Sequence, residues 1–574
     1  AGLTFTFEDD AFIGDDASAI TNTQNANSNQ PVTFLSNTYT WLGTNSEDFA
    51  SADNWDSGVV PGDQIDVSIP DGTFFSPQIS SNLAIRSLNI MSGASLFIGF
   101  GNLEVKEDLV NNGSMHLEPE TSLTLRGVRT GAGTFSVNAR VRGEERFQVL
   151  SFPLLKTNVL QDPINLGSYL FFKYNNMSQQ FVRTTADPAA GEGLFAWTSE
   201  QENGGSNVIL IILGATMSSG TIDYGVSQGT DDFNLIGNPY LAPVDAAAFF
   251  ANVNNTANTT GTAYLWNDGG SNVGALRGGD YVTVNSMGAA GGPVDPGNGV
   301  AGEKSPSDFD GTFKAFQGFF VEATNDGDIT FTPDMQTTGS NSFSGFFRAT
   351  SDSRPRIRIA MSDGTLYNDI LIGWDEHATI GDDYSLDARK LSGNNFLSFY
   401  TIGDSGDQYV ILAQPMDDMK SQEIKLGYTL AEAGRYEIGL EEVDGIEVGE
   451  LFLIDHQTGL SYPMVEGVSW AFDMKAGEDQ SRFSIAFKPL AVTSAQNDHE
   501  VAQMTVFGQS GRLHVRHSAT TTYLEVIDMA GKLVHQQQTA PRSIETTLPV
   551  SLSPDQVYIL RSDNQSVKFI ANRP

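Results

Sequence analysis

The sequence contains no cysteine. That one absence excludes disulfide staples, thiolate metal sites and cysteine nucleophiles. It leaves the compartment open, because a secreted chain also folds without thiols. Positive charge is scarce as well: 32 Lys and Arg stand against 70 Asp and Glu, a net of −38. So acidic a chain repels nucleic acid and anionic membranes, both of which are bound through clustered Lys and Arg. Nucleic acid is thereby excluded as a main partner. Long apolar runs are missing too. The longest purely aliphatic stretch is Val208–Leu213, against the roughly 20 residues of a membrane helix, so no transmembrane segment is expected. No basic-apolar leader precedes Ala1, which fits a signal peptide already removed or a trimmed chain.

Turning to what is present, 574 residues are too many for one core and suggest three to five domains. Hydrophobic residues make up 40%, enough to bury a core and to argue against global disorder. The 58 glycines and 22 prolines follow no period, which excludes collagen and fits many short strands joined by turns. Apolar–polar alternation marks Leu3–Phe7, Ile357–Ile359, Tyr409–Leu412, Glu437–Leu440, Leu451–Ile454 and Leu513–Val515. Helical periodicity is rare; Pro243–Ala251, with Asp245 as its cap, is the best candidate. The expected fold class is all-β, with several modules in tandem.

Residues 1–37 read as a strand followed by a polar arm, TNTQNANSNQ. Over 38–135, short apolar strands alternate with small-residue turns at the spacing of a β-solenoid rung, a plain meander being the alternative. Residues 136–350 form an aromatic-rich β module with long polar loops at Asn252–Gly261 and Met287–Pro306. A β-sandwich is expected over 351–490 and a linker over 491–500. From Val501 onward, 7 Lys and Arg exceed 5 Asp and Glu, so the last unit, 501–574, is +2 where the rest is −40.

Few residues suggest chemistry. Gly225-Val226-Ser227-Gln228-Gly229 matches the nucleophile-elbow pattern, but a turn and strand follow it where the mechanism needs a helix. The seven histidines are scattered and show no metal spacing. Calcium is the one cofactor suggested, through Asp308, Asp310, Asp382 and Asp383, whose carboxylates are the hard oxygen ligands it prefers. In so acidic a chain, solvated turns explain the same clusters. Trp41, Trp55, Trp197, Trp266, Trp374 and Trp470 read as core anchors of successive β units, a sugar-stacking platform being the alternative.

Three stretches resemble secreted surface proteins of Bacteroidota. TYTWLGTNSEDFASADNWDSGVVPGDQIDVSIP (38–70) resembles the opening of adhesin-like extracellular proteins of that phylum. FNLIGNPYLAPVD (233–245), AYLWND (263–268), FQGFFVEATNDGDITFTPDMQ (316–336) and DEHATIGDDYSLDARKL (375–391) look like the β module that often precedes a sorting domain. MTVFGQSGRLHV (504–515), YLEVIDMAGKLV (523–534) and VYILRSDNQSVKFI (557–570) are similar to the C-terminal signal domain of the type IX secretion system. That resemblance implies a small β-sandwich read by the type IX machinery. Asp528, Gly531 and Lys532 would form its hairpin, with Gly531 at positive φ, and Tyr558 and Lys568 would lie on its last strands. Two features depart from the pattern: Asp555-Gln556 replaces a glycine, and the chain ends Asn-Arg-Pro.

The function these observations favour is a non-enzymatic extracellular surface protein, an adhesin or an assembly subunit. Its partners would be further copies or other surface proteins. Leu3, Phe5 and Phe7 would add as a strand to a neighbour's sheet edge, pairing within their own chain being the alternative. A glycan-binding accessory protein and a secreted hydrolase are the competing classes.

Overall fold

The computed structural model describes residues 37–142, 147–161, 169–198, 207–268, 279–292, 311–339, 354–364, 366–391, 396–417, 419–446, 451–489, 504–509, 512–517, 521–528, 532–540, 543–553, 556–562 and 566–570. The chain forms two compact units, 1–490 and 491–574. Strands dominate both, and the fold is all-β as expected.

The first unit begins as a three-faced parallel solenoid. One face stacks Thr38–Thr40, Asp66–Ile69, Ser87–Ile90, Leu109–Asn111 and Arg129–Thr130. The second stacks Gln78–Ile79, Ser95–Ile98, Ser114–Leu117 and Thr134–Arg142. The third stacks Leu83–Ile85, Asn102–Val105 and Ser122–Leu125. Each rung takes about 20 residues, since Leu96 pairs with Met115, Leu103 with Leu123 and Leu88 with Leu109. Period-2 alternation sends every second side chain inward. Val67, Leu88 and Leu109 form one buried column, Ile85, Val105 and Leu125 another, and Ile79, Ile98, Leu117 and Val137 a third. The corner before the second face needs glycine: a Cβ on Gly113 would sit 2.2 Å from the Ala94 carbonyl oxygen of the rung before it.

Both ends of the solenoid are covered. At the start, Trp41, Phe49 and Trp55 pack ring to ring, with Trp41 and Trp55 5.1 Å apart. Each indole N–H reaches a carbonyl, Phe75 for Trp41 and Phe49 for Trp55. At the far end, Thr134–Arg142 is parallel to Ser114–Leu117 on one side and antiparallel to Asn207–Met217 on the other. It also runs across the expected module boundary at 135. On the third face no strand follows Ser122–Leu125 among the described residues; the Gln336 side-chain amide takes that place. Its Nε2 donates to the Leu125 carbonyl and its Oε1 accepts from the Leu125 N–H.

The next module packs two antiparallel sheets. One is ordered Phe147–Ser151, Gly193–Thr198, Tyr169–Asn175, Gln180–Thr184. The other is ordered Phe233–Gly237, Gly318–Ala323, Thr259–Asp268, Gly279–Asn285, Gly288–Gly291. Val149, Phe195, Leu235, Tyr264 and Phe320 fill the space between them. The expected helix is present as Ala246–Ala251, with the Asp245 carboxylate accepting from the Ala248 N–H. The stretch 252–261, expected as a polar loop, instead forms a second helix, Val253–Asn258, and the start of strand Thr259–Asp268. Asn and Thr disguise this helix. The buried Asn255 amide spends its donors on Phe249 and Thr330 carbonyls and accepts from the Thr330 N–H.

Residues 356–486 form one large, mostly antiparallel sheet, with a parallel pair between Tyr367–Asp375 and Gln408–Pro415. Its two terminal strands, Leu460–Pro463 and Val468–Met474, are consecutive in sequence and touch. The Trp470 indole N–H donates to the Pro463 carbonyl, and its ring lies 5.2 Å from Tyr462. The sheet therefore curls around a single core that includes Ile359, Ile372, Trp374, Leu426, Ile438 and Phe483. On the sheet's other face, Arg358 and Asp369 are buried and pair at 3.1 Å, and Asp369 also accepts from the Gly291 N–H of the preceding module.

The second unit holds a three-stranded sheet, Thr505–Gln509, Arg512–Arg516, Glu545–Leu548, and a four-stranded one, Leu533–Gln538, Tyr523–Asp528, Val557–Ser562, Ser566–Ile570. They share a core of Met504, Leu513, Val515, Leu524, Val526, Leu548, Tyr558 and Leu560.

Leu103 is fully buried in the middle rung of the third face. Leu103→Ala should cost about 2–5 kcal/mol, through lost transfer energy and the cavity left between rungs. Denaturant unfolding of the full chain followed by tryptophan fluorescence measures it, and a loss below 1 kcal/mol would mean that the rungs collapse onto the gap.

Candidate functional site

The GxSxG segment is a loop. Ser227 follows strand Ile222–Val226, its N–H donates to the Asn234 side chain, and its hydroxyl accepts from Asn176. Strand Phe233–Gly237 comes next, so the elbow geometry is not formed. The IGNPY segment is a structural hub. The fully buried Asn238 amide donates to the Ala242 and Phe313 carbonyls and accepts from the Tyr240 N–H. The Tyr240 hydroxyl lies within hydrogen-bond distance of the Gly220 and Phe331 carbonyls. Side chains in this motif organise the fold and leave no reactive atom free.

Among the candidate calcium ligands, Asp308 and Asp310 lie outside the described residues, as do the assembly candidates Leu3, Phe5 and Phe7. Asp382 pairs with Arg389 at 2.7 Å, while Asp383 accepts from the Thr379 N–H and hydroxyl. No three His, Asp or Glu side chains among the described residues are placed to share a metal ion. Trp41, Trp55 and Trp374 are buried, and Trp197, Trp266 and Trp470 are half-buried. In the second unit, the Asp528 N–H donates to the Lys532 carbonyl and its carboxylate accepts from the Lys532 N–H. Tyr558 lies across the sheet from Asp528, with its ring buried beside Phe569. Lys568 is exposed opposite Ile559, and Gly531 lies outside the described residues.

The feature that sequence reasoning missed is an open cleft of about 200 Å³ between the aromatic module and the large sheet. Its floor is the row Thr260, Thr262 and Tyr264 on strand Thr259–Asp268. Glu322 enters from strand Gly318–Ala323, Asp232 from the turn before Phe233–Gly237, and Asp382, Asp387 and Arg389 from the large-sheet module. The two modules are joined beside it: the Ser385 N–H donates to the Thr260 carbonyl at 2.8 Å, and the Asn285 amide donates to the Leu386 carbonyl at 2.9 Å. Only GDD at 381–383 signalled any of this in the sequence, because the four contributing segments are far apart in the chain.

The electrostatics of the cleft are unusual. Asp387 is buried, and burial pushes its carboxyl up to about 7, against the pull of N–H groups donated by Asp383 and Ala413, each at 2.7 Å. The Asp383 and Asp382 charges push in the same direction as burial. Burial also raises Glu322, with Arg389 opposing and Asp382, Asp232 and Asp231 reinforcing the rise. Asp387 binds its proton more tightly folded than unfolded, so its contribution favours folding at low pH. That contribution is lost as pH rises from the ordinary aspartate range through about 7. Raising pH from 5 to 8 should therefore lower the melting temperature of the wild type by a few degrees more than that of Asp387→Asn. Calorimetric scans at both pH values test this, and equal slopes in the two proteins would show that Asp387 is ionised throughout.

No helix among the described residues is long and apolar enough to cross a membrane. The chain is 24% identical over 316 residues to the minor fimbrium subunit Mfa5 of Porphyromonas gingivalis, an alignment covering 49% of this chain and 24% of that protein. It thus spans about a quarter of the length of that curated relative. Residues 40–487, from the solenoid through the large sheet, match the family model described as a domain of unknown function, DUF8693, and the chain belongs to that family.

Proposed function

We propose that this chain is a non-enzymatic extracellular subunit of a fimbria-like surface assembly on a Gram-negative cell. The observation that carries the reading is the similarity to a minor fimbrium subunit. The architecture supports it. Solenoid, sandwich and curled sheet bury their chemistry-bearing side chains in structural roles, as Asn238 and the Arg358–Asp369 pair illustrate. Export by the type IX route is the finer part of the proposal. It rests on the resemblance of 504–570 and on the small β-sandwich with its Asp528–Lys532 hairpin. The glycan-binding reading loses support from Trp41, Trp55 and Trp374, which are sealed inside cores.

Self-association through the N-terminal strand is the specific mechanism. As an extended strand, Leu3, Phe5 and Phe7 would share one face, with Thr4 and Thr6 on the other. An acceptor edge of the matching kind is present. Gln180–Thr184 pairs with a neighbour on one side only among the described residues, and Phe181 and Val182 are exposed along it. Such an edge provides unpaired backbone groups with an apolar side chain on either face, which is what strand addition requires.

Negative-stain electron microscopy with sedimentation, on the calcium-replete full chain and on a variant lacking residues 1–20, tests this. Regular polymers from the full chain and monomers from the deletion are expected. Monomers from both would overturn the assembly role, and unchanged polymers from the deletion would overturn the strand mechanism.

A further inference from the structure

We propose that the cleft between the aromatic module and the large sheet binds an organic cation, an ammonium or guanidinium group of about the size of one basic side chain. Four carboxyl groups line it, from Asp232, Glu322, Asp382 and Asp387, and Arg389 is the single cation among its lining residues. That cation is already engaged, 2.7 Å from Asp382 and 3.7 Å from Asp407. Asp387 and Asp232 accept backbone N–H groups, from Asp383, Ala413 and Gly229. Glu322, half-buried, has no hydrogen-bond or ion-pair partner among the described residues. A withdrawn carboxylate without a partner is costly, and its charge favours a mobile counter-cation.

A second, independent observation comes from the cleft floor. Thr260 is 8% exposed, and its hydroxyl has no partner among the described residues. Most buried hydroxyls are satisfied, and this one, beneath four carboxyl groups, is left with an acceptor to offer a ligand's donor. A bare metal ion does not fit, because no three of the described carboxylates are placed to share one. A ligand with several diverging N–H donors does: ammonium offers three and guanidinium five, enough to reach separate carboxylates at once. A neutral polyol would satisfy acceptors but leave the charge uncompensated.

The test is isothermal titration calorimetry of the full chain at pH 8, above the Asp387 value, and low ionic strength, with four probes: Nα-acetyl-arginine amide, spermidine, calcium chloride and methyl glucoside. Binding of the arginine amide or of spermidine is expected. Tighter binding of the first would make the cation a side chain of a protein partner, and tighter binding of the second a free polyamine. Glu322→Gln should weaken the cation by about tenfold, the loss of one charge-assisted hydrogen bond. Thr260→Val should weaken it by less. If Glu322→Gln does not fold, Asp382→Asn at the rim replaces it, since freeing Arg389 inside the cleft should also repel a cation. Heat from neither cation, affinity unchanged in the folded variants, or equal affinity for calcium or the glucoside would each overturn the proposal.

Discussion

One strand carries the transition on which the larger unit depends. Thr134–Arg142 receives the last parallel rung on one edge and offers the other edge to an antiparallel partner, Asn207–Met217. A parallel solenoid has no internal reason to stop, and an unpaired last rung exposes a row of N–H and C=O groups to any passing strand. Here the solenoid stops by changing strand direction. The second partner, Leu154–Leu155, pairs with the far end of Asn207–Met217 and so draws the chain back toward the first sandwich sheet. The third face has no strand to spare and ends on the Gln336 amide, with Arg126 bridging Glu104 and the Gln336 carbonyl beside it. The second and third faces of the solenoid are thus closed by different devices, both supplied by residues far downstream.

How much of this was legible in the sequence follows from the distance between the partners. The rungs could be read because the alternation of Leu88 and Ile90, Leu96 and Ile98, Leu103 and Val105 is local, and because the turns between them need small residues such as Gly113. Asp245 as a helix cap was readable for the same reason, its acceptor lying three residues ahead of the N–H it binds. Helix Val253–Asn258 was hidden, since it buries only Asn255 and is held through side-chain amides that polar-loop composition also supplies. The IGNPY stretch was visible as a motif. Its reason, one amide joining the Ala242 and Phe313 carbonyls, spans 75 residues and no local pattern encodes it. The cleft was least legible, for it exists only where four separated segments meet.

Charge sets the terms on which copies of this chain can meet. At −38 the molecule repels its own copies, although at physiological salt that repulsion fades over roughly 8 Å. Contacts built from broad surface complementarity are therefore disfavoured between copies. Backbone pairing at a sheet edge is affected least, because its attraction acts between strands about 4.8 Å apart and needs no opposite charge. The large sheet offers no such edge, since its terminal strands meet at Trp470 and Tyr462. The solenoid offers few, because its far end is closed. Gln180–Thr184 is one such edge among the described residues, and its exposed Phe181 and Val182 put an apolar side chain on each of its faces.

The buried charges follow the same logic in miniature. Arg358 and Asp369 are buried as a pair on the face of the large sheet turned to the preceding module, and Asp369 also takes an N–H from Gly291, so the ion pair fastens one module to the next. Burying such a pair carries a desolvation cost, and burial raises the Asp369 carboxyl despite Arg358, but removing either partner would strand the other. The cleft a short way along the same module boundary is built differently, with carboxylates in excess and a hydroxyl left unmatched. Two acidic clusters at one boundary, one balanced and one not, serve different purposes. The balanced one holds the modules in register, and the unbalanced one leaves a place for charge that the chain itself does not provide.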